Sequence, residues 1–165
     1  MKPKKLLEGK KILIVDDEPD VLESLIELLS LCKIDTASSF EEGRQMLEDQ
    51  NYDMAVLDIM GVQGFDLLKI ANSRGTPALM LTAYALTEES LKKSVEGGAA
   101  YFAPKEKMAD IELFVADVFE AMEKKKNSWE KMVDRLGGFY DRRFKGQNWR
   151  EEEDKFLKKE INKFV

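Results

Sequence analysis

Lys11-Ile12-Leu13-Ile14-Val15-Asp16-Asp17-Glu18 decides the fold: a short, largely β-branched apolar run that stops abruptly on acids. No polar side chain interrupts Ile12 to Val15, so the run reads as a strand buried on both faces, as strands of parallel sheets are. Behind it, Val21, Leu22, Leu25, Ile26, Leu28 and Leu29 recur at helical spacing after Pro19, a residue suited to a first helical turn. The alternation then repeats. A weaker strand spans Lys33–Ala37, and a helix spans Phe40–Glu48, where Ser38/Glu41 and Ser39/Glu42 each fit a capping box. Asp53–Asp58 is a buried strand that again ends on a carboxylate, and Phe65–Asn72 a helix. Ala78–Thr82 is a fourth strand, Glu88–Glu96 a helix capped by Thr87, and Ala100–Ala103 a fifth strand after Gly97-Gly98. Strands alternating with helices at these intervals predict an α/β fold: a doubly wound, five-stranded parallel sheet whose functional cleft lies beyond the strand C-termini.

Beyond residue 109 the pattern changes. Ile111, Phe114, Val115, Val118, Phe119, Met122, Trp129, Met132, Val133 and Leu136 keep helical spacing well past one domain helix. One long helix over 109–136, or two meeting near Asn127-Ser128, would both fit; Ser128/Lys131 offers no capping box, which favours continuity. Gly137-Gly138 is expected to end it, with Phe139–Gln147 as a connector. Asn148 to Glu151 then fits a capping box for a last helix carrying Phe156, Leu157, Ile161 and Phe164. The apolar stripe on this extension needs a cover, either that last helix folding back or a second copy of the chain in a homodimer.

Composition narrows the chemistry. The 165 residues carry 26 Lys+Arg against 32 Asp+Glu, a net charge of −6, with 44% hydrophobic content. That is enough apolar material for a core, and too little Gly, Pro or Cys for a collagenous or disulfide-built chain. With no histidine, His-based catalysis is excluded. The single cysteine, Cys32, lies in an apolar stretch and reads as a buried, reduced thiol. Neither a signal-peptide core nor a membrane-length apolar run is present, so a cytoplasmic protein without membrane contact is expected. Residues 110–165 carry equal numbers of acids and bases, so the whole imbalance falls before them, and the basic run Lys124-Lys125-Lys126 with Arg142-Arg143 reads as solvated surface. Nothing resembles a basic recognition helix, and no direct DNA binding is expected.

Strand one ends in Asp16-Asp17 and strand three in Asp58, ends that a parallel sheet would bring together. Such acids repel one another unless a cation or protons occupy the cluster, and an all-oxygen donor set favours Mg²⁺. Each acid alone could merely cap a helix. Thr82, ending strand four, and Lys105, after strand five, deliver a hydroxyl and an ammonium to the same edge, a convergence that capping does not explain.

On these residues the chain resembles the receiver domain of two-component response regulators. Val15-Asp16-Asp17-Glu18, Val56-Leu57-Asp58, Leu81-Thr82-Ala83 and Gly98-Ala99-Ala100-Tyr101-Phe102-Ala103-Pro104-Lys105 stand in that family's order and spacing over roughly residues 8–126, leaving 127–165 as a helical C-terminal extension. The resemblance implies a flavodoxin-like (βα)5 fold. It implies that Asp58 accepts a phosphoryl group from a sensor histidine kinase or phosphotransfer protein, and that Asp16, Asp17, the Asp58 carboxylate and the Met60 carbonyl hold Mg²⁺. Lys105 would contact the phosphoryl group, Thr82 would hydrogen-bond it, and Phe102 would be the switch aromatic; Tyr101, on the opposite face of the strand, could instead pack under a helix. Output would pass to a downstream protein through the face made by the fourth helix, fifth strand and following helix, together with the tail. Met60 and Tyr84, at positions that tune hydrolysis in the family, are bulky and predict a long-lived phosphoaspartate. The sequence departs from the family in the loop Ile59-Met60-Gly61-Val62-Gln63-Gly64, which is short and lacks proline, and in Glu106 after Lys105.

Two other readings compete. A Mg²⁺-dependent aspartyl phosphatase would need a second acid two residues after its nucleophile, where this chain has Met60. A receiver-like scaffold independent of phosphorylation would be the consequence if the short loop disables the site.

Overall fold

The computed structural model describes residues 3–151. Five parallel strands, β1 (Lys11–Val15), β2 (Lys33–Ala37), β3 (Met54–Leu57), β4 (Ala78–Thr82) and β5 (Tyr101–Pro104), lie in the order β2-β1-β3-β4-β5. The helices are α1 (Pro3–Leu7), α2 (Pro19–Leu28), α3 (Phe40–Asp49), α4 (Gly64–Ser73), α5 (Glu88–Glu96), α6 (Ile111–Glu123) and α7 (Trp129–Arg143), with a 3₁₀ segment Lys105–Asp110 leading into α6. All of β3, β4 and β5, and Ile12–Val15 of β1, are buried, as expected of strands covered on both faces. β1 feeds β2 on one side and β3 on the other, so the strand order reverses between β1 and β3 and opens a crevice at their C-terminal ends. Val15 pairs with Leu57, which sets Asp16 beside Asp58, and Thr82 pairs with Pro104, which sets Lys105 just beyond.

Local chemistry accounts for the starts of α2, α3 and α5. Ser39 Oγ accepts from Glu42 N at 3.2 Å while Glu42 Oε1 reaches back to Ser38 N at 2.9 Å, so the cap is centred on Ser39. Thr87 Oγ1 accepts from Ser90 N at 3.1 Å to cap α5. Pro19 begins α2 as expected, and the helix stops at Leu28 with Leu29, the last residue of the periodic set, as its C-cap.

The tail corrects the sequence reading. Of the two arrangements the spacing allowed, the structure has two helices meeting near Asn127-Ser128, not one over 109–136: α6 ends at Glu123 in a Schellman turn, with Lys125 left-handed (φ 53), Lys126 N donating to Ala121 O and Lys125 N to Met122 O. A lysine replaced the expected glycine signal there. Ser128 lacked a capping-box partner because its hydroxyl is used elsewhere, on the Ala100 carbonyl, while Asn127 Oδ1 accepts from Trp129 N at 2.7 Å. Nor does Gly137-Gly138 end the helix, and 139–143 is not connector; α7 continues to Arg143. The Arg150 guanidinium lies over Gly137, where a Cβ would meet it at 2.9 Å and displace its flexible end.

α7 also supplies much of the cover sought for the apolar stripe. Trp129, Met132, Leu136 and Tyr140 are buried against β5 and α6, and Trp149 packs edge-on to Tyr140 with ring centroids 5.4 Å apart. Phe156, Leu157, Ile161 and Phe164 lie outside the described residues. The short helix α1, which the sequence reading did not anticipate, buries Leu6 and Leu7 against α6, and Cys32 Sγ contacts the Leu7 carbonyl at 3.4 Å. Cys32 is half-buried where a buried thiol was expected; desolvation, with the nearby Glu112 and Asp53 charges, pushes it up to about 11, which disfavours the thiolate.

Candidate functional site

The crevice at the β1/β3 switch point holds the acids. Asp16 follows β1 and is 2% exposed; Asp58 follows β3 and is 6% exposed. Lys105, delivered by the end of β5, reaches between them: its Nζ lies 2.8 Å from Asp16 Oδ2, 3.2 Å from Asp58 Oδ1 and 2.9 Å from Glu18 Oε1. The sheet therefore brings Asp16, Asp58 and Lys105 of the expected residues together. Asp17 points outward, and Asp16, Asp17 and Glu18 each offer an oxygen within 4.8 Å of the others, the one acidic group among the described residues suited to a cation. Sequence reasoning gave no role to Glu18, although its place in the same acidic run was the available signal.

The short loop after Asp58 is shaped by its glycines. Gly61 takes a left-handed conformation (φ +64) and lies so close to Asp17 that a Cβ would stand 2.6 Å from the carboxylate. At Gly64 a Cβ would be 2.2 Å from the Asp58 carbonyl oxygen. Two glycines thus replace the missing proline and fold the loop onto both acids. Val62 N donates to the Met60 carbonyl, so that oxygen, the backbone ligand expected from the family, is already engaged through one lone pair. Thr82 is fully buried, and its Oγ1 accepts from Ala85 N at 3.2 Å, which leaves its own proton available to donate. Met60 is 54% and Tyr84 81% exposed, so neither is packed down over Asp58 and their packing gives a long-lived phosphoaspartate no support.

Phe102 and Tyr101 take opposite faces of β5, as alternation requires. Tyr101 does pack under a helix, stacking on Phe114 of α6 with centroids 5.5 Å apart and donating to Asp117 at 2.7 Å. Phe102 is fully buried and meets Tyr140 of α7.

Burial and the adjacent Asp16 charge push the Asp58 carboxyl up to about 6 from its ordinary 3.8, against the pull of Lys105. Burial likewise raises Asp16. For Lys105, burial alone would favour the neutral amine, but its hydrogen bonds to Asp16 and Glu18 and the charge of Asp58 win and hold it protonated. Because folded Asp58 binds its proton more tightly than the unfolded chain does, the native state loses stability as pH rises from about 4 through about 6. Asp58→Asn is therefore expected to stabilise the metal-free protein by about 1–3 kcal/mol at pH 7.5, with the gain vanishing near pH 4. Urea denaturation at the two pH values checks this; equal stability of the two proteins at pH 7.5 would contradict it.

Residues 12–116 match the response regulator receiver domain family. Over 105 residues the chain is 34% identical to the response regulator protein PilR of Pseudomonas aeruginosa, which covers 60% of this chain and 23% of that protein. It is 35% identical over 94 residues to the heme response regulator HssR of Staphylococcus aureus, covering 54% of this chain and 42% of that one. The chain thus spans less than half the length of these relatives. Among solved structures, a CheY-like receiver domain protein from Methanospirillum hungatei superposes with a TM-score of 0.57 at 26% identity, over 68% of this chain and 98% of that one. The response regulator DrrB of Thermotoga maritima gives a TM-score of 0.59 at 27% identity, over 72% of this chain and 55% of that one. The match runs from the first strand into α6, and the acids and lysine of the crevice fall inside it. By that match, which takes in well over half its length, this chain belongs to the response regulator receiver domain family.

Proposed function

We propose that Asp58 is the phosphoacceptor of a two-component pathway, taking a phosphoryl group from the phosphohistidine of a sensor histidine kinase or phosphotransfer protein. The observation that carries this is the ammonium of Lys105 set between two buried carboxylates, 2.8 Å from Asp16 and 3.2 Å from Asp58, at the switch point of the sheet. An Asp58 carboxylate oxygen attacks phosphorus, the phosphorus–nitrogen bond of the donor breaks, and its electron pair leaves on the imidazole nitrogen, giving an acyl phosphate. Lys105, already 3.2 Å from Asp58, meets a phosphoryl oxygen as the new bond forms, and Thr82 donates its free proton to another; both donors stand at the strand ends before the reaction. Phe102, on β5 three residues before Lys105, would report the change.

The donor set fits Mg²⁺: oxygens only, three of them clustered at Asp16, Asp17 and Glu18, with Asp58 adjacent and Gly61 closing on Asp17. Asp16, Asp17, the Asp58 carboxylate and the second lone pair of the Met60 carbonyl would hold it. When bound, Mg²⁺ neutralises charge on the transferring phosphoryl oxygens.

Met60 stands where an aspartyl phosphatase needs its second acid, which supports a phosphoacceptor that turns over its own phosphoryl group and no external substrate. In this reading 8–126 is the receiver and 127–165 its helical extension. Output passes to a downstream protein through the face formed by α5, β5 and α6 with the tail, in the cytoplasm. Among the described residues no helix is long and apolar enough to cross a membrane.

Incubating the protein with acetyl phosphate and Mg²⁺ and measuring intact mass tests the proposal. One added phosphoryl group is expected, absent without Mg²⁺ and absent in Asp58→Asn. No added mass, under conditions where Mg²⁺ binding is shown by titration, would favour the scaffold reading, with the tight loop and its engaged Met60 carbonyl as the cause.

A further inference from the structure

β5 is the outer strand of the sheet, and its free side is an edge that proteins ordinarily cover or charge. Here α7 and the residue before it supply side-chain donors to β5 and to the turn that leads into it. Trp129 Nε1 donates to the Ala99 carbonyl at 2.8 Å, the Ser128 hydroxyl donates to the Ala100 carbonyl, and the Tyr140 hydroxyl donates to the Phe102 carbonyl at 2.6 Å. Trp129 and Tyr140 are buried with their acceptors Ala99 and Phe102, and buried Ser128 meets a half-buried Ala100, so undocking α7 exposes unpaired groups as well as apolar surface. A further tie runs through α6: Asp117, 2% exposed, accepts from Tyr101 of β5 at 2.7 Å and from Arg135 of α7 at 2.6 and 3.1 Å.

The stretch that α7 grips is the stretch that carries Lys105. Residues 99–107 run from the Trp129 contact, past Phe102, whose ring lies 5.8 Å from Tyr140, to Lys105 in the crevice. Just beyond, Glu106 pairs with Arg143 at 3.4 Å and Lys107 lies over the Phe139 ring at 5.7 Å. One short segment therefore has the acidic crevice at one end and α7 along its flank.

We propose that α7 is an intramolecular ligand of the β5 edge whose docking opposes phosphorylation of Asp58. This rests on Asp58 being the phosphoacceptor. In the docked arrangement Lys105 is held by Asp16, Glu18 and Asp58 together. A phosphoryl group on Asp58 adds charge and oxygens that re-pair Lys105 and shift the segment it belongs to. Phe102 and Tyr140 are both fully buried and close-packed, so a displaced Phe102 leaves a void or a clash beneath Tyr140. α7 thus binds the unphosphorylated position of β5 better, and a ligand with that preference shifts the equilibrium in both directions.

Amide hydrogen exchange on the full chain tests this, with phosphoryl stoichiometry read from intact mass on the same sample. Acetyl phosphate with Mg²⁺ is expected to speed exchange of the 129–143 amides at least tenfold while β1 and β3 stay protected. Reciprocally, Tyr140→Phe, which removes the bond to the Phe102 carbonyl and keeps the ring, is expected to bind beryllofluoride with Mg²⁺ several-fold more tightly than wild type. A phosphorylated protein whose 129–143 exchange is unchanged or slower, or a Tyr140→Phe affinity equal to wild type, overturns the coupling and leaves the phosphoacceptor standing. Absence of both a phosphoryl adduct and beryllofluoride binding overturns the phosphoacceptor, and the coupling with it.

Discussion

Replacing Lys105 with methionine is expected to unfold the metal-free protein at a markedly lower temperature and to slow phosphoryl uptake together. Lys105 is the cation within reach of both Asp16 and Asp58, which are 2% and 6% exposed. Removing one partner of a buried ionic cluster costs about 3–5 kcal/mol, because the carboxylates left behind are neither solvated nor paired. For a chain of this size that is a drop of roughly 6–20 °C in Tm. The sign of the pH dependence follows. Without the ammonium the folded carboxyls bind protons still more tightly, so the loss is full above their raised folded pKa and shrinks as pH falls towards 4. Mg²⁺, binding the folded state, is expected to recover part of the loss at neutral pH. Uptake from acetyl phosphate should fall by about 10²–10³, the usual effect of deleting one fixed donor to a transition-state oxygen. Thermal scans at pH 5 and 7.5, with and without Mg²⁺, check the stability claim. A Tm within a degree of wild type at pH 7.5 would mean that the cluster does not depend on Lys105.

The second large effect is at Trp129. Its side chain is 1% exposed at the start of α7, and its indole donates to the Ala99 carbonyl at 2.8 Å. Trp129→Ala removes a large buried ring and leaves that carbonyl without its donor, and such truncations cost about 3–5 kcal/mol. Trp129→Phe, which retains most of the apolar contact, should cost about 1–2 kcal/mol. Native-state hydrogen exchange of the 129–143 amides reads the docking free energy directly, whether α7 opens alone or with the rest of the domain. A cost below about 0.5 kcal/mol, the range of ordinary surface substitutions, would show that α7 is not bound to β5 as described.

How much of this was legible in the sequence differs between the two ends of the chain. From Lys11 to Ala103 local signals agree with the fold: apolar β-branched runs gave the strands, Ser39 and Thr87 capped where they stand, and acids closing two strands located the crevice before any register was known. That agreement reflects a parallel sheet, in which strand ends meet by topology. The tail misled because its boundaries rest on unusual residues and on one tertiary contact. Lys125 takes the left-handed position that glycine usually marks, Ser128 spends its hydroxyl on Ala100 rather than on its own helix, and Gly137-Gly138 sits inside α7 without ending it. Glu18 was missed for a similar reason. Its contact with Lys105 spans 87 residues, and only its place in the acidic run pointed to it. The apolar stripe along the extension was visible, but the identity of its cover was not, because a periodic pattern records that a face is buried and says nothing of what buries it.

The most direct test is chemical trapping of the phosphorylated residue. Protein treated with acetyl phosphate and Mg²⁺ is reduced with borohydride, which converts an aspartyl phosphate to homoserine, then digested and sequenced by mass spectrometry. Homoserine at position 58 alone, lost when Mg²⁺ is omitted, is the expected result. Homoserine at position 16 or 17, or aspartate unaltered at all three positions in protein shown to bind Mg²⁺, would contradict Asp58 as the phosphoacceptor.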